Sequence, residues 1–181
     1  KPASLAVLAA ERADFPLEVE PKLVLRTEGG LAYAAGLVRF EASGPRITGT
    51  VASQALAPDE SPAGFGERSF AATPGPDGLT LASYGLSLKP GRHALRIGVV
   101  LADGRASVRS LPIDVPDFEA PGLKASPLVL YPDEPALPPQ PDDSYGALTV
   151  GPLRLHPRFG NVFRAGDALQ VVAVLTGGQP D

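Results

Sequence analysis

The stretch LKPGRHALRIGVVLADGRASVRSLPIDV, Leu88 to Val115, alternates along its length. His93, Leu95, Ile97, Val99 and Leu101 stand against Arg92, Ala94, Arg96 and Gly98, the period-two pattern of a strand with one buried face. Asp103-Gly104 supplies the positive φ of a tight hairpin, and Ala106 and Val108 resume the alternation on the way back. Leu111, Ile113 and Val115 continue on the other parity, which predicts an irregularity near Ser110.

The same period runs through the first half of the chain. Leu17, Val19, Leu23 and Leu25 share a parity, as do Leu31, Tyr33, Ala35, Leu37 and Arg39, and TEGG between the two runs predicts a hairpin. Ile47 to Leu56 is a further strand. Ala57 to Glu67, APDESPAGFGE, reads as a polar Pro/Gly-rich loop, with Arg68 to Ala72 as a short strand behind it. After TPGPDG, Leu79 and Leu81 hold one parity while Tyr84, Leu86 and Leu88 hold the other, so a bulge is expected near Ser83. Upstream, Ala3 to Ala13 has helical habits, with Ser4 as a candidate cap and Pro16 as the stop.

Counting gives seven strands between Leu17 and Val115, spaced as in an immunoglobulin-like antiparallel β-sandwich. No alternation of strands with helices supports a parallel α/β sheet. Beyond Phe118 the character shifts. Ser126 to Tyr131, Leu148 to Leu155 and Ala168 to Leu175 are strand candidates around a Pro- and Asp-rich loop, too few for an independent core. The expected organisation is therefore a helix or turn over residues 1–16, a sandwich over 17–118 and a partial second β module over 119–181, leaning on the first domain or on a partner chain.

Composition sharpens this picture in three places. Pro (21) and Gly (20) are abundant in 181 residues, which favours short punctuated elements. Cys is absent, excluding disulfides, thiolate metal sites and a cysteine nucleophile, and the lack of a Cys pair and of Trp separates the chain from antibody-type domains. The net charge of -4 is modest and both signs are interspersed, so no field suited to nucleic acid builds up. No apolar run approaches the roughly 20 residues that span a bilayer, and SLAVLAAERADF is too short and too acidic for a signal peptide. The missing Met at the start suggests a piece of a longer protein, although Met is absent throughout and a processed terminus would look the same.

Candidate chemistry is sparse. His93, following KPG at a strand start, reads as a corner residue whose polar tip bonds nearby backbone, and His156, ahead of Pro157, as a surface or packing residue. No G-x-S-x-G elbow accompanies Ser110 or Ser126, and no H-E-x-x-H spacing joins the histidines. GGLAYAAG, Gly29 to Gly36, spaces glycines inside a hairpin and leads to no helix, so it is not a phosphate loop. Asp133, Glu134, Asp142 and Asp143 flank PALPPQP, and Asp59 and Glu60 lie in the other long loop. Ca²⁺ sites are made of such oxygens, but without the D-x-D-x-D-G pattern a solvated acidic loop is the stronger reading. Phe65, Phe70, Tyr84, Tyr131 and Tyr145 are candidates for a ligand platform, Tyr131 and Tyr145 foremost beside the acidic loop, although scattered aromatics in sandwiches are usually core or edge packing.

The succession of KPG-H-x-L-x-I-x-V, the DG turn, PIDVPDF, L-x-x-S-x-L-V-L and P-x-F-x-x-G-D-x-L, over Leu79 to Leu175, resembles the region that follows the von Willebrand A-type domain in VWFA-related proteins of Acidobacteria-like bacteria. It is also similar to the β-sandwich segments of secreted GWxTD-domain proteins. The resemblance implies a secreted or cell-envelope protein, and since the D-x-S-x-S metal motif of the A-type domain is missing, it assigns no functional residue to this chain. The expected role is a non-catalytic spacer or protein-interaction module whose partners are other proteins or neighbouring domains. The alternative is a carbohydrate-binding module that grips glycans with Tyr131, Tyr145 and Ca²⁺-loaded acids.

Overall fold

The computed structural model of the chain describes residues 3–132 and 144–177. A helix α1 (Ala3–Ala10) precedes seven long strands, β1 (Leu17–Arg26), β2 (Ala32–Glu41), β3 (Ile47–Leu56), β4 (Pro62–Ala72), β5 (Leu79–Leu88), β6 (Gly91–Leu101) and β7 (Ala106–Val115). Six short strands follow: β8 (Leu123–Ala125), β9 (Val129–Pro132), β10 (Thr149–Val150), β11 (Leu153–Arg154), β12 (Leu169–Val172) and β13 (Leu175–Gly177).

The seven long strands form an all-β antiparallel sandwich, with β1-β2-β5 in one sheet and β4-β3-β6-β7 in the other. Relative to the immunoglobulin constant arrangement, the fourth strand has moved beside the third. Between the sheets lies an aliphatic core, given shape by Phe15, Phe40 and Phe70, whose rings meet at 5.6 and 5.8 Å. The β6–β7 hairpin forms as its sequence predicts, with Gly104 at φ 87° and the Asp103 carboxylate accepting the Arg105 N–H.

Neither irregularity expected from the parity switches exists. The β2–β5 ladder runs without a register shift through Ser83, and the β6–β7 ladder does so through Ser110. Both switches arise because the sheets are covered on their outer faces as well. In β5, Ala82, Tyr84, Leu86 and Leu88 point into the sandwich, while Leu79, Leu81 and Ser83 point away from it, and Ser83 is buried. In β7, Leu111, Ile113 and Val115 face the core. Val108 lies on the opposite face with Gly98 and Leu8 of α1, and Leu8 is fully buried there.

The first hairpin corrects the pattern reading in a similar way. β1 carries a bulge between Pro21 and Leu23, so Leu17 and Val19 face the sandwich core whereas Leu23 and Leu25 face the other side. In β2 the inward row is Ala32, Ala34, Val38 and Phe40. The row singled out by alternation, Tyr33, Ala35 and Leu37, belongs to a second apolar cluster on the outer face.

β4 is twice as long as expected, because Pro62 to Glu67 of the anticipated loop pairs with β3. Its glycines are there for close approach. A Cβ on Gly64 would lie 2.6 Å from the Ser87 carbonyl oxygen, and one on Gly66 only 2.1 Å from that of Gly85, so β4 can lie against β5 only without side chains at these positions. The Ser53 hydroxyl sits in this seam, 3.2 Å from the Gly66 oxygen and 3.4 Å from that of Gly85.

At the other seam the chain crosses between sheets at Arg12 to Phe15. Ala13 bridges Ser107 on the edge of β7, the Phe15 N–H donates to the Ser107 hydroxyl, and that hydroxyl donates to the Phe15 carbonyl. Ser4 lies within α1 instead of capping it, and its hydroxyl reaches Glu67. Asp14 accepts the Ala106 N–H at 2.9 Å; that bond above all, with the Arg12 guanidinium, holds its carboxyl below the ordinary carboxylate range.

Two outcomes follow. Gly66→Ala is expected to destabilise the chain by about 2–4 kcal/mol through collision with the β5 backbone, read as a lower midpoint in urea unfolding, whereas Gly78→Ala, at positive φ in an open turn, should cost about 1–2 kcal/mol from backbone strain alone. Because folding lowers the pKa of Asp14, its stabilisation is complete above the unfolded-state value and fades as pH falls through it toward the folded value. Asp14→Asn should therefore flatten the acid limb of the stability-versus-pH curve, and an unchanged limb would refute the assignment.

Candidate interaction surface

The outer face of the β1-β2-β5 sheet is where the remainder of the chain docks. Leu23, Ala35 and Leu37 of the sheet and Val129, Ala147, Leu148 and Leu155 of the C-terminal segment form one buried cluster. Tyr33 lies across Gly85, where an added Cβ would fall 2.0 Å from its hydroxyl oxygen, and donates to the Ala147 carbonyl at 3.0 Å. The Ala147 N–H in turn donates to the Ser83 hydroxyl at 3.1 Å. Ser83, polar at a strand centre, is thus explained by the backbone it receives. Phe118, at the expected domain boundary, is buried in the sandwich core.

A second attachment is ionic. The β1 bulge turns Lys22 under the turn Phe159–Asn161, where it is only 5% exposed. Its ammonium donates to Glu20 Oε1 at 2.7 Å, to the Arg158 carbonyl at 2.9 Å and to Asn161 Oδ1 at 2.8 Å, which uses all three protons. Glu20 Oε2 accepts the Gly160 N–H at 2.7 Å, and the Arg39 guanidinium lies 4.4 Å from the centre of the Phe159 ring. A buried ammonium is tolerated because each proton has an acceptor and one acceptor is charged.

The residues singled out in the sequence are distributed as follows. His93 is buried at the start of β6, and its Nε2 donates to the Lys89 carbonyl at 2.8 Å, closing the β5–β6 corner as its position predicts. Its Nδ1 has no hydrogen-bond partner among the described residues. His156 is exposed and stacks on Tyr145, centroids 4.8 Å apart. Tyr131 and Tyr145 each pack half-buried against the outer cluster. Phe70 and Tyr84 are core residues and leave the platform; burial first, and the Glu20 charge second, raise the Tyr84 pKa. Asp133, Glu134, Asp142 and Asp143 lie outside the described residues. Among the described residues no three carboxylates or imidazoles gather into a metal-binding group. Two shallow depressions lie on the surface, about 350 Å³ beside the β1–β2 turn at Arg26 to Gly29, and about 160 Å³ between α1 and the sheet at Ser4, Val7, Thr50, Glu67 and Val100.

What pattern reading missed is an apolar surface. β8 pairs with β13 and β9 with β12, and Ser126 joins the two pairs: its N–H donates to the Val174 carbonyl, and its hydroxyl accepts the Val174 N–H. The result is a two-stranded ribbon. Val129, Tyr131 and Val172 point to the outer cluster, whereas Leu169 and Val171 point away, as do Leu123 and Leu175 in the other half. Of the large apolar side chains left exposed among the described residues, all but Phe65 belong to this C-terminal segment.

No protein-family model and no curated protein matches the chain. Among solved structures it is similar to a candidate β-galactosidase from Bacteroides fragilis, at 17% identity and a TM-score of 0.39 over 55% of this chain; it spans only 16% of that protein's length. It is similar also to the structural-genomics target SoR45, at 11% identity and a TM-score of 0.39 over 58% of this chain and 89% of that one. A third likeness is to the candidate ApaA protein from Bordetella pertussis, at 14% identity and a TM-score of 0.37 over 59% and 97% of the two chains. Likenesses at these scores carry no functional argument.

Lys22→Ala leaves Glu20, Asn161 and the Arg158 carbonyl without their shared donor. The expected cost is about 2–3 kcal/mol in thermal or urea unfolding, with faster amide exchange concentrated at residues 158–161. A uniform rise in exchange over the whole chain would mean that Lys22 does not tie down this turn.

Proposed function

We propose that this chain is a non-catalytic β-sandwich module of an extracytoplasmic bacterial protein, acting by contact as a rigid spacer and protein-interaction domain. One observation carries the reading: exposed apolar side chains concentrate on the C-terminal ribbon, whose Val129, Tyr131 and Val172 pack against the outer face of the sandwich. A ribbon seated on the sandwich by one face, with apolar side chains on the other, is suited to meeting another protein surface. The polar groups nearest to a chemical role have structural partners instead. His93 closes a corner, Ser107 ties the crossover to β7 and Ser53 bridges the β4–β5 seam.

The competing reading, a glycan-binding module, rests on Tyr131 and Tyr145. A glycan array probed with and without Ca²⁺ separates the two. The interaction-module reading expects no retained sugar, and the same silence for Tyr145→Ala. Binding that needs Ca²⁺, or that disappears on replacing Tyr131 or Tyr145, would replace it with carbohydrate recognition.

A further inference from the structure

The two apolar clusters of this chain share no residue. The larger closes on itself between the sheets, and every buried member described for it falls between Phe15 and Phe118. The smaller is divided: Leu23, Ala35 and Leu37 belong to the sandwich, whereas Val129, Ala147, Leu148 and Leu155 arrive from beyond Phe118. The C-terminal segment therefore borrows half of its core from the sandwich, and the sandwich core borrows none of its described members in return.

The seam between the two is also built differently from the sheets. Among the described residues β8 to β13 pair only with one another, so no ladder of theirs runs on to β1, β2 or β5. Side chains make the crossing. Tyr33 donates to the Ala147 carbonyl, the Ala147 N–H donates to Ser83, Lys22 donates to the Arg158 carbonyl, and Glu20 accepts the Gly160 N–H. Bonds of this kind contribute little net, because water takes over both partners once the surfaces part. Opening the sandwich instead breaks whole ladders and wets the larger core. At the root of the segment Phe118 is buried in that core, and Glu119 is paired with Arg26. The chain then runs through residues 120–122 without helix or strand, and Gly122 holds a φ of 100° where an added Cβ would meet nothing within 4 Å. A glycine in open space can absorb the change of φ and ψ that a hinge requires.

We infer that the C-terminal segment, through its residues 123–132 and 144–177, is a latch on the outer face of the β1-β2-β5 sheet. It lifts as one unit about residues 120–122 while the sandwich stays folded. Baring Leu23, Ala35 and Leu37 keeps the lifted form rare, as befits a minor state in exchange with the closed one. Lifting uncovers an apolar strip on β1 and β2, flanked by the Tyr33 and Ser83 hydroxyls, that the closed chain occupies with its own segment. The latch is independent of what the ribbon meets: its failure would leave the contact-module reading untouched, and a glycan retained on the array would leave the latch standing.

β2 supplies the test, because its neighbours Ala34 and Ala35 face the larger and the smaller cluster, both fully covered, in a chain that has no cysteine of its own. In the whole chain, the thiol of Ala35→Cys should react with a soluble aromatic disulfide at least tenfold faster than that of Ala34→Cys under native conditions. Urea should accelerate it less, since lifting the segment exposes less surface than unfolding. Ile97→Val, at a buried position of the larger cluster, should speed labelling of Ala34→Cys about fivefold and leave that of Ala35→Cys as it was. Amide exchange on the unaltered chain guards against a cysteine variant that fails to fold: Ala147, Leu148, Leu155 and Gly160 should share one opening, less dependent on urea than that of β3 and β6. Equal labelling at the two positions, acceleration of both by Ile97→Val, or one urea dependence for the whole chain would show that segment and sandwich open together and would overturn the latch. Fast exchange at only one of the four amides would reduce it to local fraying and overturn it as well.

Discussion

A strand with apolar side chains on both faces is stable only when both faces lose water, and β2 is such a strand at the centre of this molecule. Ala32, Ala34, Val38 and Phe40 go into the sandwich, and Tyr33, Ala35 and Leu37 go the other way. Burying an aliphatic side chain of this size is worth about 1.5–3 kcal/mol, so leaving one row of β2 in water would forfeit a large share of the net stability of an ordinary domain. The layering follows from this demand. One face is met by β4-β3-β6-β7 and the other by the C-terminal segment.

That layering recasts the C-terminal third of the chain. Three short pairs of strands cannot enclose a core, yet they need not do so when Leu23, Ala35 and Leu37 supply half of one. Polar anchoring fixes how the segment sits. Apolar contact alone would permit sliding, whereas the Lys22 ammonium and the Tyr33 hydroxyl have directions and reach for particular backbone atoms. The β1 bulge matters here because it both inverts the parity of the strand and turns Lys22 toward the turn it holds.

At the opposite side, α1 does for the four-stranded sheet what the C-terminal segment does for the three-stranded one, on a smaller scale. Leu8 is fully buried and seated over Gly98, where an added Cβ would come within 2.9 Å of it. The sandwich is therefore the middle of a four-layer arrangement.

Seven strands, the β6–β7 hairpin, the all-β class and the corner role of His93 were legible in the sequence, because each is a local matter of period two, a DG turn or a polar tip beside its own backbone. The parity switches at Ser83 and Ser110 were just as visible but led to bulges that do not exist. A change of parity looks the same along the chain whether the backbone slips or a new layer covers the other face, and only distant residues, Ala147 in one case and Leu8 in the other, decide between them. Pro62 to Glu67 looked like a loop for a similar reason: glycine marks a flexible turn and a crowded backbone approach with the same letter, and the β5 carbonyls that make Gly64 and Gly66 necessary lie some twenty residues further on. Local alternation thus determined which segments are strands, and tertiary structure alone decided which face of each strand is inside, because burial depends on what arrives from elsewhere in the chain.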